Sequence, residues 1–300
     1  MNKQQKISIR FFDDREVRAL WDEQNAKWWF SVLDIVAVLT DQNDYTKTRN
    51  YWKYLKAKFK KENNELGSET TQLVSATTQL KLLASDGKRY KSDMLDYSGI
   101  IALGKQFPSK KANRFIEWFT YSDESIDGKS KTKAYALFES SFVNSIEVGT
   151  ANGLQQIHGY LFGGLYDFAG QIRTKSISKG GYQFTPAHYL ETHLAKIEAM
   201  PETNLDEIVD KYCAMNIAHP FMEGNGRSTR VWLDLLLKKQ LKCCVDWSKI
   251  SKNNYMNALI ISTVDSSELL KLIKRAITTD IDSREMFMKG IDYSYYYEEN

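Results

Sequence analysis

Four side chains able to do chemistry fall within one run of twelve residues, His219-Pro220-Phe221-Met222-Glu223-Gly224-Asn225-Gly226-Arg227-Ser228-Thr229-Arg230. His219, with an ordinary pKa of about 6.5, can take a proton from an attacking hydroxyl. Gly224, Asn225 and Gly226 allow a ligand close to the backbone, and the amides and dipole of a helix starting there favour an anion. Arg227 and Arg230, spaced i and i+3, would lie on one face of its first turn and could hold further phosphates of a polyphosphate tail. Glu223 is one carboxylate beside them, and magnesium takes one or two carboxylates together with phosphate oxygens. Each feature alone has a plain structural use as core histidine, turn or solvated arginine pair. Their joint occurrence points to polyphosphate chemistry.

Two helices must frame the run. Leu205, Ile208, Val209, Tyr212 and Met215 form the apolar face of a helix leading to His219, with Thr203 and Asp206 imitating a capping box at its start. Val231, Trp232, Leu235, Leu236 and Leu237 mark a second helix after Gly226. Earlier, Leu154, Ile157, Leu161, Leu165 and Phe168 predict a helix ending near Gly170. Gln171 to Ser178 then reads as extended, Lys179-Gly180-Gly181 as a turn tolerant of positive φ, and Tyr182-Gln183-Phe184 as a returning strand.

The run matches at every specified position the signature His-x-Phe-x-Asp/Glu-Gly-Asn-Gly-Arg-x-x-Arg, and in this it resembles the Fic family. The resemblance covers roughly Ala134 to Asn300, including Ile157-His158, Leu161-Phe162, Phe168-Ala169-Gly170 and the hairpin, which is similar to the Fic flap. It implies a mainly α fold, a Fic helical bundle with a β-hairpin flap, and transfer of AMP from ATP to a hydroxyl of a target protein. By the same resemblance His219 and Asn225 are catalytic and Glu223 holds Mg2+. Gly224, Asn225, Gly226, Arg227 and Arg230 bind the nucleotide. Ile172, Thr174, Ser176, Ile177, Gly180 and Gly181 form the flap on which the target docks by its backbone. A kinase-like branch similar to the Doc toxin carries lysine where this chain has Gly226, which favours adenylyl transfer here. Bacterial Fic enzymes that this chain resembles modify type II topoisomerase subunits, an analogy for the target.

The C-terminal stretch Ser294-Tyr295-Tyr296-Tyr297-Glu298-Glu299 resembles the inhibitory helix Ser/Thr-x-x-x-Glu-Gly/Asn of that family, with Glu299 where Gly or Asn is usual. Ser294 and Glu298 at i, i+4 share a helical face, and a carboxylate on Arg230 would compete with phosphate for the guanidinium. Self-association is one further way to control such a tail.

Ahead of this domain, Trp28-Trp29-Phe30 followed by Val32, Ile35, Val36 and Leu39 predicts a strand running into a helix capped by Ser31 or Asp34. Thr46 to Lys61 carries only basic charges, with Tyr51, Trp52, Tyr54, Leu55 and Phe59 interleaved at helical spacing. Glu62 to Thr78 reads as loop or hairpin, Asp86-Gly87 as a turn, and Met94 to Leu103 and Ala112 to Phe119 as helices. The polar run from residue 123 to 133 has the composition of an inter-domain connection. This divides the chain into a small α+β domain over 1–122, a linker over 123–133 and the helical domain over 134–300. The first of these resembles, more loosely, the N-terminal module of phage antirepressor and BRO-type proteins, which implies nucleic acid as a partner of the basic helix. The rival overall function is a nucleic-acid-binding or regulatory protein whose Fic domain is subordinate or takes another nucleotide donor.

The 42% hydrophobic and 26% charged residues describe a chain that buries a core. A net charge of +3 is too close to balance to imply a nucleic-acid or membrane partner for the whole molecule, so any basic site must be local. No apolar run reaches the ~20 residues of a membrane span, and the start shows no secretory pattern, so a cytoplasmic location and no membrane partner are expected. Cys213, Cys243 and Cys244 fit reduced thiols better than a disulfide framework or metal site.

Overall fold

A computed structural model describes residues 6–62, 73, 76–84 and 87–298. Its contacts divide the chain into the units Met1–Ser125 and Ile126–Asn300.

The first unit is a five-stranded antiparallel sheet covered by helices. Strands β1 (Ile7–Phe12) and β2 (Arg15–Asp22) pair with Phe12 opposite Arg15. The two turn residues, Asp13 and Asp14, have φ of 48° and 59°. Such a tight hairpin needs left-handed backbone at both positions, and aspartate tolerates it. β3 (Lys27–Ser31) runs into helix α1 (Val32–Thr40), whose cap is Ser31, its hydroxyl accepting the Asp34 N–H. Helix α2 (Tyr45–Glu62) buries Trp52, Leu55 and Phe59 and leaves Lys47, Arg49, Lys53, Lys58 and Lys60 outside. β4 (Thr78–Leu83) and β5 (Arg89–Leu95) complete the order β1-β2-β3-β5-β4. The polar segment after Glu62 lies mostly outside the described residues, as does Asp86.

Met94 and Leu95, expected in a helix, close β5. Helix α3 (Tyr97–Gly104) begins only after Asp96, whose carboxylate accepts the Gly99 N–H and so marks the start. Helix α4 (Lys110–Tyr121) supplies Phe115 and Phe119 to the core. Phe119 stands 4.8 Å from the Phe30 ring and 5.0 Å from that of Tyr97.

The run 123–133 is no linker: helix α5 spans Ile126–Glu139 and belongs to the second unit. Ser130, Ala134 and Leu137, at i, i+4 and i+7, are its buried stripe, and the serine stands where an apolar residue would have announced it. Helix α6 (Ala151–Phe162) stops at Gly163, short of the expected end at Gly170. Leu165 and Phe168 keep helical spacing because the chain folds back on the helix; a Cβ on Gly170 would lie 3.3 Å from Gly159 Cα. The hairpin is shorter than expected, β6 (Ser178–Lys179) with β7 (Tyr182–Gln183), turning at Gly180 and Gly181 with φ of 58° and 82°.

Helices α7 (Ala187–Glu198), α8 (Leu205–Ala218) and α9 (Asn225–Leu241) follow. The α8 cap lies one residue beyond the expected box: Asn204 accepts the Glu207 N–H, and Glu207 accepts from the Thr203 N–H and hydroxyl. β8 (Cys244–Val245), α10 (Lys252–Ile261), α11 (Ser267–Ala276), β9 (Ile277–Thr278) and α12 (Arg284–Tyr296) end the order, β8 pairing with β9. All three cysteines are buried free thiols. Among the described residues no helix is long and apolar enough to cross a membrane.

Phe119→Ala removes a fully buried ring and should destabilise the N-terminal unit by about 3–5 kcal/mol, seen as an earlier urea unfolding transition.

Candidate active site

The twelve-residue run spans the break between α8 and α9. His219 ends α8 in the left-handed conformation, φ 48°. Its Nδ1 faces the Asn216 carbonyl at 3.3 Å, so this nitrogen carries the hydrogen and Nε2 keeps the basic lone pair. The Phe184 ring stacks on the imidazole with centroids 3.7 Å apart. Burial pushes the His219 pKa down to about 4, outweighing the pull of the Asn216 carbonyl and the Glu298 charge.

Asn225 closes the loop that follows. Its Oδ1 accepts the Phe221 N–H and its Nδ2 donates to the Phe221 carbonyl, both at 2.8 Å. The Asn225 side chain thus holds the loop, and its role in the expected chemistry falls to the backbone amides around it. Phe221 is fully buried and stacks on His158 at 3.8 Å. His158 Nδ1 accepts the Gly170 N–H, so its Nε2 donates to the Glu223 carbonyl, 2.9 Å away. Burial lowers its pKa to about 4. Gly224 has φ 80°, and a Cβ there would stand 2.5 Å from the Phe162 ring, so only glycine fits. The first amides of α9 have no earlier helical carbonyl to bond, which leaves donors that an anion could take.

Glu223 is 56% exposed at its side chain and accepts from the Gly224 N–H and from Arg227 Nη2, both at 3.0 Å. Among the described residues no three His, Cys, Asp or Glu side chains gather as a metal cage. An exposed lone carboxylate beside an anion site fits magnesium, which completes its shell with phosphate and water oxygens.

Both motif arginines are buried. Arg227 Nη1 pairs with Asp127 of α5, and its guanidinium lies over the Phe162 and Tyr295 rings. Arg230, 1% exposed, lies over the rings of Tyr255 and Tyr297, which stack on each other. It donates from Nε to the Ser294 hydroxyl, and from Nη2 to the Ser294 carbonyl at 2.7 Å and to Glu298 Oε1 at 2.5 Å. Burial raises the Glu298 pKa, but the charge and hydrogen bond of Arg230 together with the charges of Arg227 and Lys179 outweigh it and hold the carboxyl below its ordinary value. The Glu298 carboxylate also presses on Gly226, where a methyl group would collide with it. Glu299 lies outside the described residues.

The structure therefore gathers His219, Glu223, Gly224, Asn225, Gly226, Arg227, Arg230, Ser294 and Glu298 around the start of α9. Of the hairpin residues, Thr174, Ser176, Gly180 and Gly181 are exposed, while Ile172 and Ile177 are half-buried. Ser176 Oγ accepts the Ala187 N–H at the start of α7. Sequence reasoning missed Asp127, Tyr255, Tyr297 and Arg173. Asp127, Tyr255 and Arg173 belong to no local motif, and Tyr297 stands at a variable position of the stretch between Ser294 and Glu298.

Residues 149–237 match the family described as Fic/DOC, and residues 16–125 match the BRO family, N-terminal domain. The chain is 28% identical over 162 residues to "Protein adenylyltransferase VbhT" of Bartonella schoenbuchensis, an overlap of 46% of this chain and 33% of that protein. It thus spans about a third of that relative's length. It is 30% identical over 134 residues to "Probable protein adenylyltransferase y4lH" of Sinorhizobium fredii, covering 40% of this chain and 69% of that one. Among solved structures it is similar to the BepC protein of Bartonella tribocorum with bound AMPPNP, with TM-score 0.43, 21% identity and coverage of 52% and 85% of the two chains.

Histidine titration by NMR should place His158 and His219 near 4, against an ordinary 6.5. Their unfolded forms bind protons first, so their contribution to stability is whole above pH 6.5 and is lost as pH falls toward 4.

Proposed function

Because the chain belongs to the Fic/DOC family, we propose that it transfers AMP from ATP to a hydroxyl side chain of another protein and that α12 is its built-in brake. One observation carries the reading: the base, the anion turn and two arginines meet at the start of α9, with a carboxylate from the tail lodged among them.

The target hydroxyl attacks the α-phosphorus while its proton passes to His219 Nε2. The bond from that phosphorus to the bridging oxygen breaks, and pyrophosphate leaves. His219, neutral at pH 7, is in the form that accepts a proton. The first amides of α9 stabilise charge growing on the α-phosphate oxygens, and Arg227 and Arg230 bind the β- and γ-phosphates. Mg2+, held by Glu223 and phosphate oxygens, would neutralise the polyphosphate when bound. The target lies extended along the hairpin, paired through its backbone. Gly226 stands where the kinase-like branch carries lysine, in keeping with adenylyl rather than phosphoryl transfer. The two relatives named adenylyltransferases support the same reaction.

Glu298 takes the guanidinium edge that a terminal phosphate needs. A hydrogen bond to a charged group contributes roughly 1.5–3 kcal/mol, about 10- to 100-fold in occupancy. With α-labelled ATP and magnesium, Glu298→Gly should therefore label lysate proteins about 10- to 100-fold more than the parent chain. Adding His219→Ala should abolish the label. No label from Glu298→Gly, with nucleotide binding demonstrated, would overturn the reaction.

A second reading concerns the N-terminal unit. The outer face of α2 presents Tyr45, Tyr51 and Tyr54 among its lysines, an aromatic and cationic surface suited to nucleic acid. Binding of the full chain to duplex DNA should then weaken steeply with salt, and Lys53→Glu with Lys60→Glu should flatten that slope; no binding at low salt would remove this role.

A further inference from the structure

Arg173 enters the hairpin from Gly170, and its side chain is 4% exposed. Among the described residues no carboxylate pairs with it, and only backbone carbonyls answer its charge. Nε donates to the His219 carbonyl at 2.7 Å, Nη1 to that of Lys175 at 2.7 Å, and Nη2 to those of Thr185 at 2.5 Å and Ala218 at 3.1 Å. The Arg173 N–H donates to the Pro220 carbonyl at 2.8 Å. Ala218 and His219 end α8, where terminal carbonyls lack helical donors and the dipole is negative, so the helix end serves as counter-charge.

These bonds join three segments. Lys175 lies on the outgoing side of the hairpin and Thr185 on its return, while Ala218, His219 and Pro220 form the left-handed turn carrying the imidazole. On the return side Phe184 stacks on His219, and the Thr185 N–H donates to the Ile217 carbonyl. Both roots of the hairpin are thereby fastened to the His219 turn, while its tip residues are exposed. Left-handed backbone at a non-glycine residue such as His219 is strained and persists only when its surroundings impose it.

We infer that Arg173 is the positioning residue of the proposed reaction: it fixes the spacing between the hairpin on which a target hydroxyl would be carried and the His219 imidazole that takes its proton. The inference rests on the adenylyl-transfer reading. It makes the hairpin a rigid mount rather than a loose lid. Only a planar fork satisfies four carbonyls at once; lysine has the charge but a single nitrogen.

The test uses the full chain carrying Glu298→Gly as parent, with Arg173→Gln or Arg173→Lys added. ATP affinity by calorimetry should match the parent, since Arg173 touches none of the phosphate-binding groups. Labelling of lysate proteins should fall about 100-fold, as for an angstrom-scale misplacement of a reacting group. In Arg173→Gln the His219 imidazole should titrate above the parent value, because a nearby cation and a tight turn are both lost. A merely structural role would lower the melting temperature and leave that titration where it was. If Arg173→Gln does not fold, Arg173→Lys decides. A folded variant with parental labelling and parental His219 titration overturns the inference. No label from the parent itself would instead remove the adenylyl-transfer reading, and the shifted titration would still establish the strut.

Discussion

A guanidinium withdrawn from water must be given acceptors, and in the helical unit Arg173, Arg227 and Arg230 are all withdrawn. Each draws its acceptors from a different part of the chain. Arg173 takes the carbonyls at the end of α8, Arg227 takes Asp127 of α5 together with its neighbour Glu223, and Arg230 takes Ser294 and Glu298 from the C-terminal tail. The hairpin, α5 and α12 are held where they are by the need to answer buried charge, and the loop between α8 and α9 is the point on which all three converge.

That loop is itself over-determined. Asn225 clamps Phe221 from both sides of its peptide unit, His158 bridges Gly170 to Glu223, and Gly224 occupies a space that a side chain cannot share with Phe162. The amides at the start of α9 are consequently preorganised, and a phosphate would find its donors already aimed. Phe221, Phe162 and Trp232 are all fully buried in the same unit.

The tail is built into the same core. Asp292, fully buried, accepts from Tyr135 and pairs with Lys131 at 2.8 Å, and the Tyr295 hydroxyl donates to Ser130. The Tyr297 hydroxyl donates to the carbonyls of Trp247 and Ile250. Helix α12 is therefore anchored along its length, and Glu298 follows its last turn. In the proposed function a single guanidinium serves both states, holding the carboxylate in one and a phosphate in the other.

Much of this was legible in one dimension because it is local. The run from His219 to Arg230 is contiguous, so its residue types alone point to the base, anion turn and phosphate ligands of the proposed function; the Ser31 cap follows from a hydroxyl that accepts the Asp34 N–H, and the Gly180-Gly181 turn from glycine's tolerance of positive φ. That Ser294 and Glu298 share one face was readable from their i, i+4 spacing, and both meet Arg230. What tertiary structure alone decided concerns contacts across long separations. Asp127 reaches Arg227 from a segment whose polar composition read as a linker, because Ser130 conceals its buried stripe. Leu165 and Phe168 extend a helical rhythm after the helix has ended, because the chain folds back beside it. Arg173 carries no sequence signal, since backbone carbonyls, which every residue has, are all that it binds. Periodicity reports which side of an element is buried, but the partner of a buried charge is chosen by the packing of elements far apart in the chain.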